Sequence, residues 1–144
     1  MAGEIKQFMY VNRRAPYGTI YALESLEVVL IGAAFDQDVS LAFIDDGVFQ
    51  LTKDHKSGKY NEPDSAHINM KSISPTYRAL GDFEVKKLYV EKESLEKRGL
   101  TMDDLQDIKY EDEDDDYAEK DCVHVVSRDE MIKLMAQQDV LLNF

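Results

Sequence analysis

In LAFIDDGVFQL, residues 41–51, an apolar run ends abruptly in Asp45, Asp46 and Gly47. Two adjacent carboxylates can serve as metal ligands or as an acid–base pair. In open α/β sheets, ligands bind beyond the carboxyl ends of strands, where this pair falls. The competing account is structural: Asp45 or Asp46 caps the turn that follows and Gly47 eases its backbone. Adjacent side chains need not converge on one site, and no His or Cys accompanies them, so the turn or interface account is favoured. His55, His67 and His124 are dispersed, with no zinc-like spacing. Cys122 is a nucleophile only if its thiolate is stabilised, and Glu119 and Asp121 close by disfavour that charge. Arg13, Arg14 and Tyr17, in RRAPYG, form a candidate contact for an anion or an acidic partner. That segment has one glycine and no Gly-Lys-Ser/Thr ending, so it lacks a phosphate-loop signature. No metal and no cofactor is expected.

Elements must position these residues, and the composition limits their number. The chain has 144 residues, the size of about one domain. Its apolar fraction of 44% is enough for a core. There are 29 acidic against 17 basic residues, a net charge of -12, and the pI is near 4.6. Such a field repels nucleic-acid phosphates and anionic membranes, so neither is an expected partner. The one cysteine excludes a disulfide within the chain. The N-terminus shows no signal-peptide pattern, and the most apolar run, near residues 28–35, is too short to cross a bilayer. A soluble, cytoplasmic protein is expected.

The hydrophobic pattern predicts strands at residues 5–12, 39–44, 85–90 and 123–126, and a last one in DVLLNF at the C-terminus. VSLAFI is almost wholly apolar, as parallel strands buried on both faces are. Helical spacing marks residues 19–35, with Thr19 able to cap the start. Shorter helices are predicted at 74–83, with Pro75 in the first turn, and in KESLEKRGL, ending near Gly99. Ser127 and Glu130 have capping-box spacing at the head of a helix over 127–138. Residues 103–110 carry a short strand at their end. A polar loop is expected at about 53–69, and a solvated, mobile acidic loop at 111–121. The sum is an α/β domain with a mostly parallel sheet of about five strands. Tyr10, Tyr17, Tyr21, Tyr77, Tyr89 and Phe49 supply aromatic surface suited to interfaces. Val48, Phe49 and Leu51 have no evident burial partner and form a candidate ridge for a neighbouring subunit.

The run from FMYVNRRAPYGT to DDGVFQL, then SPTYRALGDFEVKKLYVEKESLEKRGL and the closing DVLLNF, resembles the DsrE/DsrF-like family. Within it the chain is similar to the DsrF/TusC branch, nearer its DsrF side, which the acidic segment 111–121 also suits. The resemblance covers most of the chain. It implies a single-domain three-layer sandwich over residues 1–144.

The resemblance also implies a place in a cytoplasmic heterohexamer with two copies each of three related subunits. In the sulfur-carrying subunits a cysteine after the third strand holds persulfide sulfur. Here LYVEKESLEKRG puts Glu91 at that place, and a carboxylate cannot accept sulfane sulfur as a thiolate does. The implied role is a non-catalytic structural subunit of a DsrEFH-type sulfur relay in intracellular sulfur oxidation. DsrE-like and DsrH-like subunits are then its partners, and TusA-like and DsrC-like carriers exchange sulfur through the complex. Two alternatives stand beside it: a TusC-like subunit for tRNA 2-thiouridine synthesis, and a direct sulfur carrier using Cys122. A small-ligand or anion site at Arg13, Arg14 and Tyr17 is a further, weaker class.

Overall fold

The computed structural model describes residues 5–14, 38–52 and 85–144. Strands β1 (Gln7–Asn12), β2 (Asp38–Phe43), β3 (Leu88–Glu91), β6 (Val123–Val126) and β7 (Val140–Asn143) form one sheet. Their order is β6-β3-β2-β1-β7, and every pairing is parallel. The protein is an α/β fold on a five-stranded parallel sheet, as its hydrophobic pattern predicts. Strand β3 begins later than expected and runs through Glu91.

Alternation along the strands explains the continuous apolar runs. Tyr10, Leu41, Phe43, Leu88 and Val90 join a core on one face. Met9, Val11 and Ala42 join Met131 in a second core on the other face. With both faces covered, polar alternation has nowhere to appear. Each fully buried Leu contributes about 1.5–3 kcal/mol relative to exposure.

Helix α1 (Lys92–Lys97) follows β3 without a gap. It ends as its glycine predicts. Gly99 has φ 66, Gly99 N–H donates to Glu96 O at 3.1 Å and Leu100 N–H to Leu95 O at 3.0 Å. These two bonds satisfy the last carbonyls of the helix in a Schellman arrangement. Helix α2 (Arg128–Ala136) starts at Ser127, whose hydroxyl accepts from Glu130 N–H at 3.2 Å. Thr101 and Asp104 form a complete capping box on a short 3-10 turn, Met102–Asp104.

The acidic stretch corrects the sequence expectation. Residues 111–121 face solvent as expected, but only 113–117 are a connecting turn. The segment belongs to an antiparallel hairpin of β4 (Lys109–Asp112) and β5 (Ala118–Asp121). Lys120 offsets part of the acid repulsion, because its ammonium lies 2.6 Å from Asp112 and 3.3 Å from Asp115. The turn contains no glycine, and Asp116 and Tyr117 take left-handed φ values of 53 and 58. Tyr117 N–H closes it on Asp112 O at 2.8 Å. The predicted helices at 19–35 and 74–83, the polar loop 53–69, Tyr17, Tyr21, Tyr77, His55 and His67 lie outside the described residues.

Candidate functional site

The carboxyl ends of β1, β2 and β3 meet at one polar cluster. After Phe43 the chain turns into a 3-10 segment, Asp45–Leu51. This segment lies hard against the end of β1. Ile44 N–H donates to Asn12 O at 3.1 Å, and Gln50 Nε2 donates to Arg14 O at 2.7 Å. A Cβ at Gly47 would stand 1.9 Å from Asn12 O. Gly47 is therefore required by close backbone approach rather than by turn geometry. The positive φ of the DDG sequence belongs to Asp45, at 51, a conformation that Asp tolerates.

Asp45 and Asp46 do not cap this segment. Its N-cap is Ile44, with no side-chain cap. The two carboxylates instead reach different arginines. Asp45 meets Arg13 at 3.3 Å, and Asp46 meets the Arg98 guanidinium at 2.9 and 3.0 Å. The pair diverges, so it does not form a two-carboxylate catalytic centre. Among the described residues, no three His, Cys, Asp or Glu side chains gather where they could hold a metal.

Val48 and Leu51 require a second correction. Both are fully buried in the chain's own core beside Phe43 and Leu88, so neither can form a ridge for a neighbour. Their burial partners are distant in sequence: Leu51 O accepts from Gln106 N–H at 2.8 Å, and Thr52 bridges to Leu105. Phe49 is half-buried, while Arg13, Arg14, Asp45 and Asp46 are exposed.

Glu91 is the last residue of β3 and the N-cap of α1. It is 7% exposed. A buried carboxylate needs partners, and Glu91 has two. Ser94 Oγ donates to Glu91 Oε1 at 2.8 Å, and Arg128 from the head of α2 reaches the same oxygen at 3.3 Å. Ser94 Oγ in turn accepts from Asp45 N–H at 2.9 Å. Arg98 donates to Ser94 O at 3.1 Å. Asp45, Asp46, Ser94, Glu91, Arg98 and Arg128 thus form one connected set across three segments. No sequence motif singles out Ser94 or Arg128. Ser94 had a local signal, three residues after Glu91 at a helix start; Arg128 had none, because the contact spans 37 residues.

Cys122 lies elsewhere, between β5 and β6, with no exposed surface. Burial, and then the Asp121 charge, push its thiol up to about 11, against a smaller opposing pull from Lys86. At neutral pH the sulfur is a packed thiol rather than a nucleophile. His124 is exposed on β6, its ring 5.9 Å from that of Tyr89.

The architecture defines a small α/β protein with a parallel sheet whose third strand ends in a buried, arginine-paired glutamate. The sequence profile of the DsrE/DsrF-like family matches residues 6–144, and the chain belongs to that family. It is 51% identical over 144 residues to the intracellular sulfur oxidation protein DsrF of Allochromatium vinosum, covering 100% of both chains. It is 35% identical over 100 residues to a TusC homolog of Pseudomonas aeruginosa, covering 69% of this chain and 77% of that one. The crystal structure of the ychN protein from E. coli superposes with a TM-score of 0.66 at 19% identity, covering 98% of this chain and 100% of the other. At that identity the likeness concerns the fold. No helix among the described residues is long and apolar enough to cross a membrane.

Proposed function

We propose that this chain is a non-catalytic subunit of a DsrEFH-type sulfur-relay complex in intracellular sulfur oxidation, where it supports persulfide transfer by a cysteine of a partner subunit. The observation that carries this is Glu91. In this reading Glu91 stands where the family resemblance puts a sulfur-bearing cysteine, and its carboxylate is buried and tied to Ser94 and Arg128. A carboxylate has no sulfur to form a persulfide. The full-length similarity to a sulfur oxidation protein supports the pathway. Its partners in this reading are DsrE-like and DsrH-like subunits in a cytoplasmic heterohexamer, which exchanges sulfur with TusA-like and DsrC-like carriers.

The test is co-expression with DsrE-like and DsrH-like subunits, treatment with a persulfide donor, and intact mass of every subunit. The expected result is a stable complex with an adduct of about 32 Da on a partner and none on this chain. An adduct on this chain that disappears in Cys122→Ala would establish the carrier alternative instead. Burial and the raised thiol pKa weigh against that alternative. Failure to assemble with either neighbour would sink the subunit reading. Phe49→Asp adds a charge at the one half-buried aromatic of the 3-10 segment and is expected to weaken the complex while this chain stays folded. The similarity to TusC homologs favours a second reading, a subunit for tRNA 2-thiouridine synthesis. Deleting the gene and measuring tRNA thiolation separates the two pathways.

A further inference from the structure

Strand β6 forms one edge of the sheet, with β3 on one side and no strand on the other among the described residues. Beside that edge, the β4–β5 hairpin helps to line an open groove of about 600 Å³. Its apolar lining comes from Val123 and Val125 of β6, Tyr110 of β4, and Met102, which is 58% exposed. Its charged lining includes Glu119 and Asp121 of β5. Lys109 and Lys120 also line it, but both already face carboxylates: Lys109 meets Asp107 at 3.8 Å, and Lys120 is held by Asp112 and Asp115.

Charge selects what would fit there. Residues 111–121 contain eight acids and one lysine, a net of minus seven in a chain whose total is -12. Among the described residues, Glu111, Glu113, Asp116, Glu119 and Asp121 make no ion pair. These carboxylates do not converge as metal ligands would. Their sign repels nucleic acid and anionic membranes and attracts lysine and arginine. An open strand edge beside an apolar lining favours an extended backbone, whose N–H and C=O groups continue the ladder.

We propose that this groove receives an extended, lysine- or arginine-bearing segment of a partner protein, added along β6 as a further strand. Alternate apolar side chains of the segment pack on Val123, Val125 and Tyr110. Its cations face Glu119, Asp121 and the outer acids of the hairpin. The site is distinct from the Glu91 set and extends the subunit role to a second surface with its own specificity.

The test uses the full chain and fluorescein-labelled peptides of about ten residues, followed by anisotropy. One peptide alternates Lys and Val, a second alternates Glu and Val, and a third is the Lys–Val peptide N-methylated at alternate amides. The Lys–Val peptide is expected to bind, with affinity at least about tenfold above the Glu–Val peptide. N-methylation, which removes ladder donors, is expected to weaken it by about tenfold. The combined Glu111→Gln, Glu113→Gln, Glu119→Gln variant, checked for folding by circular dichroism, is expected to weaken it by a similar factor. Equal binding of the parent and N-methylated peptides would mean charge attraction without strand addition and would overturn the proposal. So would no binding of the Lys–Val peptide, or unchanged binding in the variant. Assembly with the DsrE-like and DsrH-like subunits, measured on the same variant, is a separate readout, so this site can fail while the subunit role stands.

Discussion

The Glu91 cluster and the β4–β5 hairpin are both rich in carboxylates, yet they handle charge in opposite ways. At the end of the sheet, Glu91, Asp45 and Asp46 each meet an arginine, and Ser94 links two of the segments. In the hairpin, Lys120 serves Asp112 and Asp115, and the other acids remain in solvent. For Glu91 the difference follows from burial, while Asp45 and Asp46 pair with their arginines at the surface. Glu91 is enclosed, so an unpaired charge there would be costly. The hairpin acids are hydrated, so their charge is tolerated and is available to a partner. An internally paired set anchored on a buried carboxylate suits a scaffold role; an unpaired one suits recognition.

The largest effect that tests the Glu91 side is at Gly47. Gly47→Ala would force the 3-10 segment away from Asn12 O, and a loss of about 3 kcal/mol is expected in urea denaturation. An unmoved midpoint would mean that the close approach is not needed to hold the cluster. Cys122 measures how dry the neighbouring core is. With its thiol at about 11 instead of 9.0, its thiolate fraction at neutral pH falls by about 100-fold. Iodoacetamide should label it at least that much more slowly in native than in denatured protein. Because the folded pKa is the higher one, stability is unaffected below pH 9 and declines as pH rises from there towards 11. Alkylation at equal rates in both states would show that the core behind β6 is open.

Arg128→Ala removes one partner of the buried Glu91 carboxylate. Because Arg128 is itself half exposed, the expected cost is about 1 kcal/mol by thermal denaturation. Glu91→Gln in the same background should recover part of it, since a neutral amide does not need the guanidinium. No recovery would uncouple the two residues. The smallest effect is on the hairpin side. Lys120→Ala should speed amide exchange within 109–121 while the parallel sheet stays protected. The Asp112 carboxyl is held below its usual value, first by the Lys120 hydrogen bond and then by Asp114 N–H. The Lys120 ammonium is held above its usual value by Asp112 and Asp115. Their contribution to the hairpin is therefore present above the ordinary Asp value of 3.8 and below the ordinary Lys value of 10.5. It is lost as pH falls through the depressed Asp value or rises through the elevated Lys value. Exchange in the hairpin that ignores both limits would assign its order to the backbone alone.

The sheet was legible because its signal is local. VSLAFI and VHVV carry the continuous apolar character of doubly covered strands, and Ser127 and Gly99 mark helix ends by their own chemistry. Glu91 drew notice through family resemblance, while its burial and its contacts with Ser94 and Arg128 came only with the structure. Of the hairpin only the start of β4 was legible, because Asp and Glu disfavour strands and the turn has no glycine. Its ladder joins residues 6–12 positions apart, and Lys120 holds acids five and eight residues away. The burial of Val48 and Leu51 was not legible because their partners lie far away in sequence. Val48 and Leu51 pack into a core that includes Leu88, Leu105 and Ile108.

By itself, the sequence determined the α/β class, the strands of the parallel sheet and the capped helix ends, since each depends on residue type or on spacing within a few positions. Only the tertiary structure decided that Asp45 and Asp46 diverge, that Val48 and Leu51 point inward, that Cys122 is closed off and that Arg128 meets Glu91. Each of these is a contact between segments distant along the chain, and its partner is fixed by how the sheet brings strand ends together rather than by any neighbouring residue.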